Sequence, residues 1–158
     1  MNCNSAEYED HRRLMPRMTV FSPNHVEALS LCGRIASPNT SDAELDLLLG
    51  DKVEETLEEV GRQLLADMRG YEQARSVQGW ERGVVIRCGA KGCMVFTASE
   101  TVRLPAYFAG STSDQKQVVD VTGGGNAFLG GLVAGMDRTG GKSLVEGQCE
   151  PTFYTIPT

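Results

Sequence analysis

Two spacings of apolar residues divide the chain into predicted helices and predicted strands. Between residues 53 and 68 the apolar side chains recur every three or four positions, with acidic residues opposite them. This pattern predicts an amphipathic helix that stops near Gly70. Residues 83–88, 93–97 and 101–105 are instead short runs of apolar and β-branched residues separated by turns, and they predict buried strands.

The first third of the chain carries clear signals for where elements begin and end. Residues 18–21 are an apolar, partly β-branched run closed by Ser-Pro, and they predict a buried strand. Residues 25–31 predict a short helix, and Gly33 follows at the position where many helices end. Ser41 with Glu44 three residues later is a capping-box pattern, so a second helix is expected to begin there.

The last third contains a glycine run between a predicted strand at 117–121 and a predicted helix of small residues at 126–137. Because strands alternate with helices early in the chain, the expected class is a layered α/β fold with a mostly parallel sheet. The expected organisation is an irregular N-terminal segment at 1–16, a domain at 17–147 and a short irregular tail at 148–158.

Composition and charge restrict the possible classes of function. The chain has 158 residues, 41% of them hydrophobic, which suits one globular domain. Its net charge of −6 argues against nucleic acid or an anionic membrane as a partner, since both require basic surfaces. No apolar run approaches the roughly 20 residues that span a bilayer, and the N-terminus lacks the pattern of a signal peptide. Five cysteines without Cys-x-x-Cys spacing indicate reduced thiols and a cytoplasmic location.

The glycine run at 123–125 requires an explanation other than packing, because glycine loses more backbone entropy on folding than any other residue. At the start of a helix the backbone N–H groups have no intrahelical partner, and the helix dipole favours an anion there. Gly123 to Asn126 is therefore a candidate cradle for a phosphate or a phosphoryl group. The alternative is a close contact between helix and strand without a ligand.

Two familiar nucleotide-binding motifs do not fit the sequence. The dinucleotide-binding fingerprint would require glycine where Phe128 stands. The Gly-Gly-Lys-Ser sequence at 140–143 is similar to the end of a P-loop, but that motif requires glycine at the position of Met136. A helix also precedes this sequence where a P-loop has a strand, so a turn that ends the helix is the simpler interpretation.

A more specific resemblance covers most of the chain. Residues 120–128, Asp-Val-Thr-Gly-Gly-Gly-Asn-Ala-Phe, resemble the second signature of the ribokinase/PfkB carbohydrate kinase family, Asp-Thr-x-Gly-Ala-Gly-Asp followed by a small residue and Phe. Residues 22–27 resemble the family's Asn-x-x-Glu motif after a strand, and residues 84–92 resemble its strand and Gly-x-x-Gly turn. The three motifs occur in the family's order, and the glycine run is most similar to a fungal branch.

The resemblance implies a ribokinase-like layered α/β fold and an ATP-dependent transfer of a phosphoryl group to an alcohol of a sugar or nucleoside. It also implies a role for each matching residue. The anion hole for the phosphoryl group would be formed by Gly123, Gly124, Gly125 and Asn126. The nucleotide would lie beside Gly89, Gly92 and Thr122. Mg²⁺ and its waters would be organised by Asn24 and Glu27, and a monovalent cation such as K⁺ would lie near Asp120 and Thr122.

The assignment of Asn24 and Glu27 to Mg²⁺ has an equally simple alternative. Asn24 followed by Glu27 is also a capping pattern for the helix predicted at 25–31. The pair is therefore expected either to organise a metal or to cap a helix.

The chain departs from the family's pattern at the residue that closes the signature. The family has an aspartate there as the catalytic base, and this sequence has Asn126. A neutral amide cannot take up the proton of the attacking hydroxyl, and general-base catalysis is typically worth about 10²–10⁴-fold in rate. The cradle is therefore expected to keep its anion site while turnover falls.

The length of the chain is the second departure. The sequence resembles the C-terminal, nucleotide-side half of such a kinase, so the fold is expected to be incomplete. The partner is expected to be a small sugar or nucleoside, and the exposed edge of an incomplete sheet makes a homodimer the expected form of self-association. The alternative function is a catalytically silent, ribokinase-like protein that acts by binding or regulation.

Overall fold

The computed structural model describes residue 10 and residues 13–69, 79–106 and 123–148. The α-helices are α1 (His25–Leu31), α2 (Asp42–Leu49), α3 (Val53–Arg69), α4 (Gly124–Arg138) and α5 (Leu144–Gln148). The strands are β1 (Val20–Phe21), β2 (Gly83–Arg87), β3 (Cys93–Thr97) and β4 (Thr101–Leu104). Short 3-10 helices cover Met15–Arg17, Gly50–Lys52 and Gly89–Lys91. Within these ranges, every helix is too short or too polar to cross a membrane.

The four described strands form one sheet in the order β1-β2-β3-β4. β1 lies parallel to β2, with Val20 opposite Gly83, and the long connection between them carries α1, α2 and α3. β2 and β3 are antiparallel, and so are β3 and β4. The fold is therefore a mixed α/β arrangement, as the sequence predicted.

Two helical layers explain why β2 and β3 are almost entirely apolar. Side chains alternate between the faces of a strand, so a strand with helices on both faces must be apolar at every position. The first face packs Val84, Ile86, Met94 and Phe96 against α1, α2 and α3. The second face packs Val85, Cys93 and Val95 against Leu132 and Met136 of α4 and Leu144 of α5. The sheet is thus the middle layer of three.

The residues predicted to cap helices lie at the helix ends in the structure. Helix α2 begins after Ser41, whose hydroxyl accepts a hydrogen bond from the Glu44 backbone N–H while the Glu44 carboxylate accepts one from the Ser41 N–H at 2.7 Å. Hydrogen bonds from the Ser41 backbone and hydroxyl lower the pKa of Glu44. Gly33 follows α1 with φ of 63°, the left-handed conformation that glycine adopts most easily at a helix end.

Arg82, directly before β2, binds three other parts of the chain through hydrogen bonds. Its guanidinium donates hydrogen bonds to the carbonyl oxygens of Pro16, Met18 and Met68 at 2.7, 3.2 and 3.0 Å. These carbonyls belong to the first 3-10 helix, the residues before β1 and the last turn of α3. One cation therefore satisfies the Met68 carbonyl at the end of α3, where helical carbonyls lack intrahelical partners, and two carbonyls before β1.

Two predictions about the fold are wrong in detail. The sheet was predicted to be mostly parallel, but only one of the three pairings among the described strands is parallel. The reason is the short Gly89–Lys91 turn after β2, because parallel strands require a much longer crossover. Helix α4 begins at Gly124 and not at Asn126, because Gly123 adopts a left-handed conformation that starts the helix earlier. The strand predicted at 117–121 lies outside the described residues.

A pair of glycine-to-alanine substitutions tests the packing of the first layer. A Cβ on Gly61 of α3 would overlap the buried ring of Phe96, whereas a Cβ on Gly130 of α4 would meet no described atom within 4 Å. We expect Gly61→Ala to lower the free energy of unfolding by about 1–3 kcal/mol through overpacking. Gly130→Ala should raise it by roughly 0.5–1 kcal/mol through helix propensity.

Urea denaturation followed by circular dichroism measures both effects on the full chain. Gly130→Ala is the matched control, because it makes the same chemical change in a helix without the close contact. Equal or greater stability of Gly61→Ala would show that α3 does not pack on Phe96 as described.

Candidate functional site

Among the described residues, nothing covers the start of helix α4, where helical N–H groups have no intrahelical partner. Gly123 is the N-cap residue with φ of 82°, and its carbonyl accepts the first intrahelical hydrogen bond, from Ala127 N–H at 2.9 Å. The N–H groups of Gly124, Gly125 and Asn126 precede that bond, so they have no acceptor within the helix. A Cβ on Gly123 or Gly124 would meet nothing within 4 Å among the described residues. This end of the helix thus offers backbone donors and room for an anion.

The start of helix α1 is closed by a complete capping box. The Asn24 side-chain oxygen accepts a hydrogen bond from the Glu27 N–H at 2.7 Å. In return, the Asn24 N–H donates to Glu27 Oε2, also at 2.7 Å. The capping alternative that the sequence left open is therefore what these two side chains do in this structure. Their predicted role in organising magnesium stays a prediction.

Arg87 lies between the starts of these two helices. It is the last residue of β2, and its backbone N–H donates to the Pro23 carbonyl at 3.0 Å, immediately before α1. Its Nη2 lies 3.6 Å from Glu27 Oε2. Its Nη1 lies 2.5 Å from where a Cβ would stand on Gly125. Only a glycine at position 125 therefore leaves the guanidinium in this position.

The strand pleat explains why the Arg87 side chain faces α4. Val85, two residues earlier in β2, packs in the second layer beside Leu132 and Met136 of α4. Residues two apart in a strand point to the same face, so Arg87 points toward the same helix. The Arg87 side chain extends past these apolar contacts to the start of α4. It is 22% exposed.

The electrostatics of this cluster favour an added anion. A cation beside the start of a helix stands at the positive end of the dipole, which is unfavourable. The Glu27 carboxylate offsets this only from 3.6 Å, beyond the usual length of a hydrogen bond. Arg87 Nε is buried and has no hydrogen-bond partner among the described residues. Phosphate oxygens would accept hydrogen bonds from the helix N–H groups and lie beside the exposed part of this guanidinium.

A directly coordinated Mg²⁺ does not fit the same arrangement. Glu27 Oε2 already accepts the Asn24 N–H, and the Asn24 oxygen already accepts the Glu27 N–H. The Arg87 guanidinium already lies 3.6 Å from that carboxylate, so Mg²⁺ bound there would be a second cation beside it. No cluster of three or more metal-ligating acids, cysteines or histidines occurs in the part of the chain that the structure describes.

The turn between β2 and β3 holds the remaining described candidates. Gly89 has φ of 56° and open space around its Cα among the described residues, so a ligand could approach it. Gly92 has φ of 89°, and a Cβ there would overlap the backbone of Leu104 and Pro105. Gly92 is thus required by the strand packing itself. Burial raises the pKa of the neighbouring Cys88 thiol to about 11, so this cysteine is protonated at neutral pH.

The structure brings some of the predicted residues together and leaves others undescribed. Glu27 and Gly125 lie beside the Arg87 side chain, and Asn24 lies opposite its backbone. Asp120 and Thr122 lie outside the described residues. Asn126 lies in the first turn of α4 and is exposed. Sequence reasoning missed Arg87, although one signal was available: it is a charged residue that ends an otherwise apolar strand, directly before the Gly-x-x-Gly turn.

Comparison with known proteins gives the same family that the motifs indicated. Residues 2–147 match the sequence model of the pfkB family carbohydrate kinases. A cytidine kinase of Thermococcus kodakarensis is 40% identical over 78 residues, which is 48% of this chain and 25% of that kinase. The chain is therefore matched to only a quarter of the relative's length. No solved structure matches significantly.

The capping role of Asn24 can be separated from a ligand role by stability alone. We expect Asn24→Ala to lower the free energy of unfolding by about 1 kcal/mol, because the Glu27 N–H loses its acceptor. Asn24→Ser, which restores a capping oxygen, should unfold at nearly the urea concentration of the native protein. If Asn24→Ala is as stable as the native chain, the capping box contributes nothing.

Proposed function

Because the chain belongs to the pfkB family of carbohydrate kinases, we propose that it binds the polyphosphate of ATP at the start of helix α4. The observation that carries the proposal is the open run of backbone N–H groups at Gly124, Gly125 and Asn126. Each would donate to a phosphate oxygen at the positive end of the helix dipole. The residues match the family's signature position by position, apart from the substitutions described above.

The position of the site within the fold also supports nucleotide binding. Helix α1 packs on the first face of the sheet and α4 on the second, and both begin near the carboxyl end of β2. In open α/β sheets, ligands bind at the carboxyl ends of strands where neighbouring connections leave toward opposite faces. Gly89, directly beyond the same strand end, is the proposed neighbour of the nucleotide.

The reaction proposed for this site is that of the family, the transfer of a phosphoryl group from ATP to an alcohol of a sugar or nucleoside. In such a reaction the protein mainly positions groups and stabilises charge, which backbone donors can do without side chains. The similarity to a cytidine kinase favours a nucleoside as acceptor, although it covers a quarter of that enzyme. Kinases of this family generally use ATP and Mg²⁺, and this chain's K⁺ site at Asp120 and Thr122 remains a proposal.

The second candidate is a catalytically silent protein that binds nucleotide without turning it over. The observation that favours it is Asn126 at the position of the family's catalytic aspartate. An amide can hold a hydroxyl by a hydrogen bond, but it cannot act as a base near neutral pH.

An aspartate in the cradle tests the anion site. We expect the chain to bind ATP in isothermal titration calorimetry, and Gly124→Asp to weaken binding at least roughly tenfold, or about 1.4 kcal/mol. The added carboxylate would occupy the open space at Gly124 and repel the phosphates. Aspartate is well tolerated in a first helical turn, so the fold should persist.

Gly130→Asp is the matched control for that experiment. It makes the same change in the same helix, at another glycine with open space around it, but beyond the first turn. We expect its affinity for ATP to stay close to that of the native chain. Absence of ATP binding by the native chain, or an equal loss in both variants, would refute the proposed cradle.

Restoring a carboxylate at position 126 separates the two candidate functions. If the missing base limits catalysis, Asn126→Asp should increase phosphorylation of the acceptor by about 10²–10⁴-fold. The measurement is ATP-dependent phosphorylation of a panel of sugars and nucleosides, by the native chain and by the variant. Turnover of the native chain as fast as that of Asn126→Asp would exclude the silent protein.

A further inference from the structure

Arg87 is a cation that neither the motifs nor the core explains. The four residues before it in β2 are buried, and three of them are apolar side chains of the two packed layers. Its backbone lies in the sheet, where it is opposite Cys93 and its N–H donates to the Pro23 carbonyl. The side chain adds nothing to that pairing. It instead extends past the sheet to the space between α1 and α4.

Several arginine pairs among the described residues are shorter than the contact of Arg87 with Glu27, whereas the exposed pair of Arg13 with Asp10 is longer, at 3.9 Å. Arg103 lies 2.6 Å from Glu54 and Arg62 lies 2.9 Å from Glu58, both within hydrogen-bond distance. The Arg87 to Glu27 distance is 3.6 Å, and the same Glu27 oxygen already accepts the Asn24 N–H at 2.7 Å. Glu27 therefore neutralises Arg87 only partly.

Among the described residues, two further features leave this guanidinium without a close anionic partner. Its Nε is buried without a hydrogen-bond partner among the described residues, and an unmade bond of a buried charged group is costly. Its Nη1 lies against Gly125, at the positive end of the α4 dipole. An anion with several oxygens would compensate the charge of the guanidinium at this end of the helix, because guanidinium binds phosphate through two parallel hydrogen bonds.

On this basis we propose that Arg87 binds the polyphosphate of the nucleotide together with the α4 backbone. There the Arg87 guanidinium supplies positive charge that a divalent metal ion supplies in related kinases. The inference rests on the proposed function and adds to it that this chain holds ATP without Mg²⁺. Arg87 stands between Glu27 and Gly125, and a metal ion held there by the carboxylate would be repelled by the guanidinium.

Calorimetry on the full chain tests the inference directly. ATP is titrated once in the presence of EDTA and once with excess Mg²⁺, and inorganic tripolyphosphate is titrated in EDTA as a probe without a base. We expect the native chain to bind both ligands in EDTA, with an affinity for ATP within roughly threefold of that measured with Mg²⁺. Arg87→Gln should weaken both affinities in EDTA by roughly tenfold or more.

The control is Arg62→Gln, which removes one arginine from an exposed ion pair on α3. It should leave both affinities unchanged, because it changes the net charge equally and lies outside the cluster. If Arg87→Gln does not fold, Arg87→Lys replaces it. The lysine keeps the charge but loses the two parallel hydrogen bonds, so its affinity in EDTA should fall by roughly threefold or more.

The outcomes distinguish this inference from the proposed function. ATP binding that requires Mg²⁺, or that is as strong in the Arg87 variant as in the native chain, overturns the role of Arg87 and leaves the glycine cradle standing. A total absence of ATP binding, with and without Mg²⁺, overturns both. Binding in EDTA that is lost in Arg87→Gln and kept in Arg62→Gln supports the inference.

Discussion

The candidate site depends on one backbone hydrogen bond, from the Arg87 N–H to the Pro23 carbonyl. This bond extends the parallel pairing of β1 with β2 beyond the short strand β1, and it brings Asn24 level with Arg87. Because helix α1 begins at the next residue, the same bond places Glu27 beside the end of β2. In another register, the Glu27 carboxylate would not lie beside the Arg87 guanidinium.

The two-sided burial of β2 supplies the second half of the geometry. Val84 and Ile86 are held by the layer of α1 to α3, and Val85 is held by α4. The alternation of a strand then directs the next side chain of the second face, that of Arg87, toward the start of α4. The hydrophobic core thus determines where the charged residue points. The packing of the apolar side chains therefore also determines where the positive charge of the site lies.

Glycine has different roles at different positions of this protein. Gly92 and Gly61 are required because a Cβ would overlap Leu104 or Phe96, so they belong to the packing of the sheet and its helices. Gly123 and Gly124 have open space around them among the described residues, so packing does not explain them. Gly125 lies between these cases, because its neighbour is the flexible end of Arg87. Only the glycines without a packing reason point to a ligand.

The sequence by itself determined the elements and the family. Helix ends at Asn24, Ser41 and Gly33 follow from hydrogen bonds and backbone preferences that span only a few residues, so they can be found in the printed chain. The family follows from three motifs in order, and the match over residues 2–147 confirms it.

Tertiary structure decided which functional residues meet. The hairpin at Gly89–Lys91 made the described sheet mixed, and the pairing at Pro23 joined Glu27 to Arg87. The turn at Gly89–Gly92 has a local signal, but the pairing at Pro23 has none, because strand register and side-chain direction depend on partners that are distant in sequence. For the same reason the sequence identified the glycine cradle of α4 but not the arginine beside it.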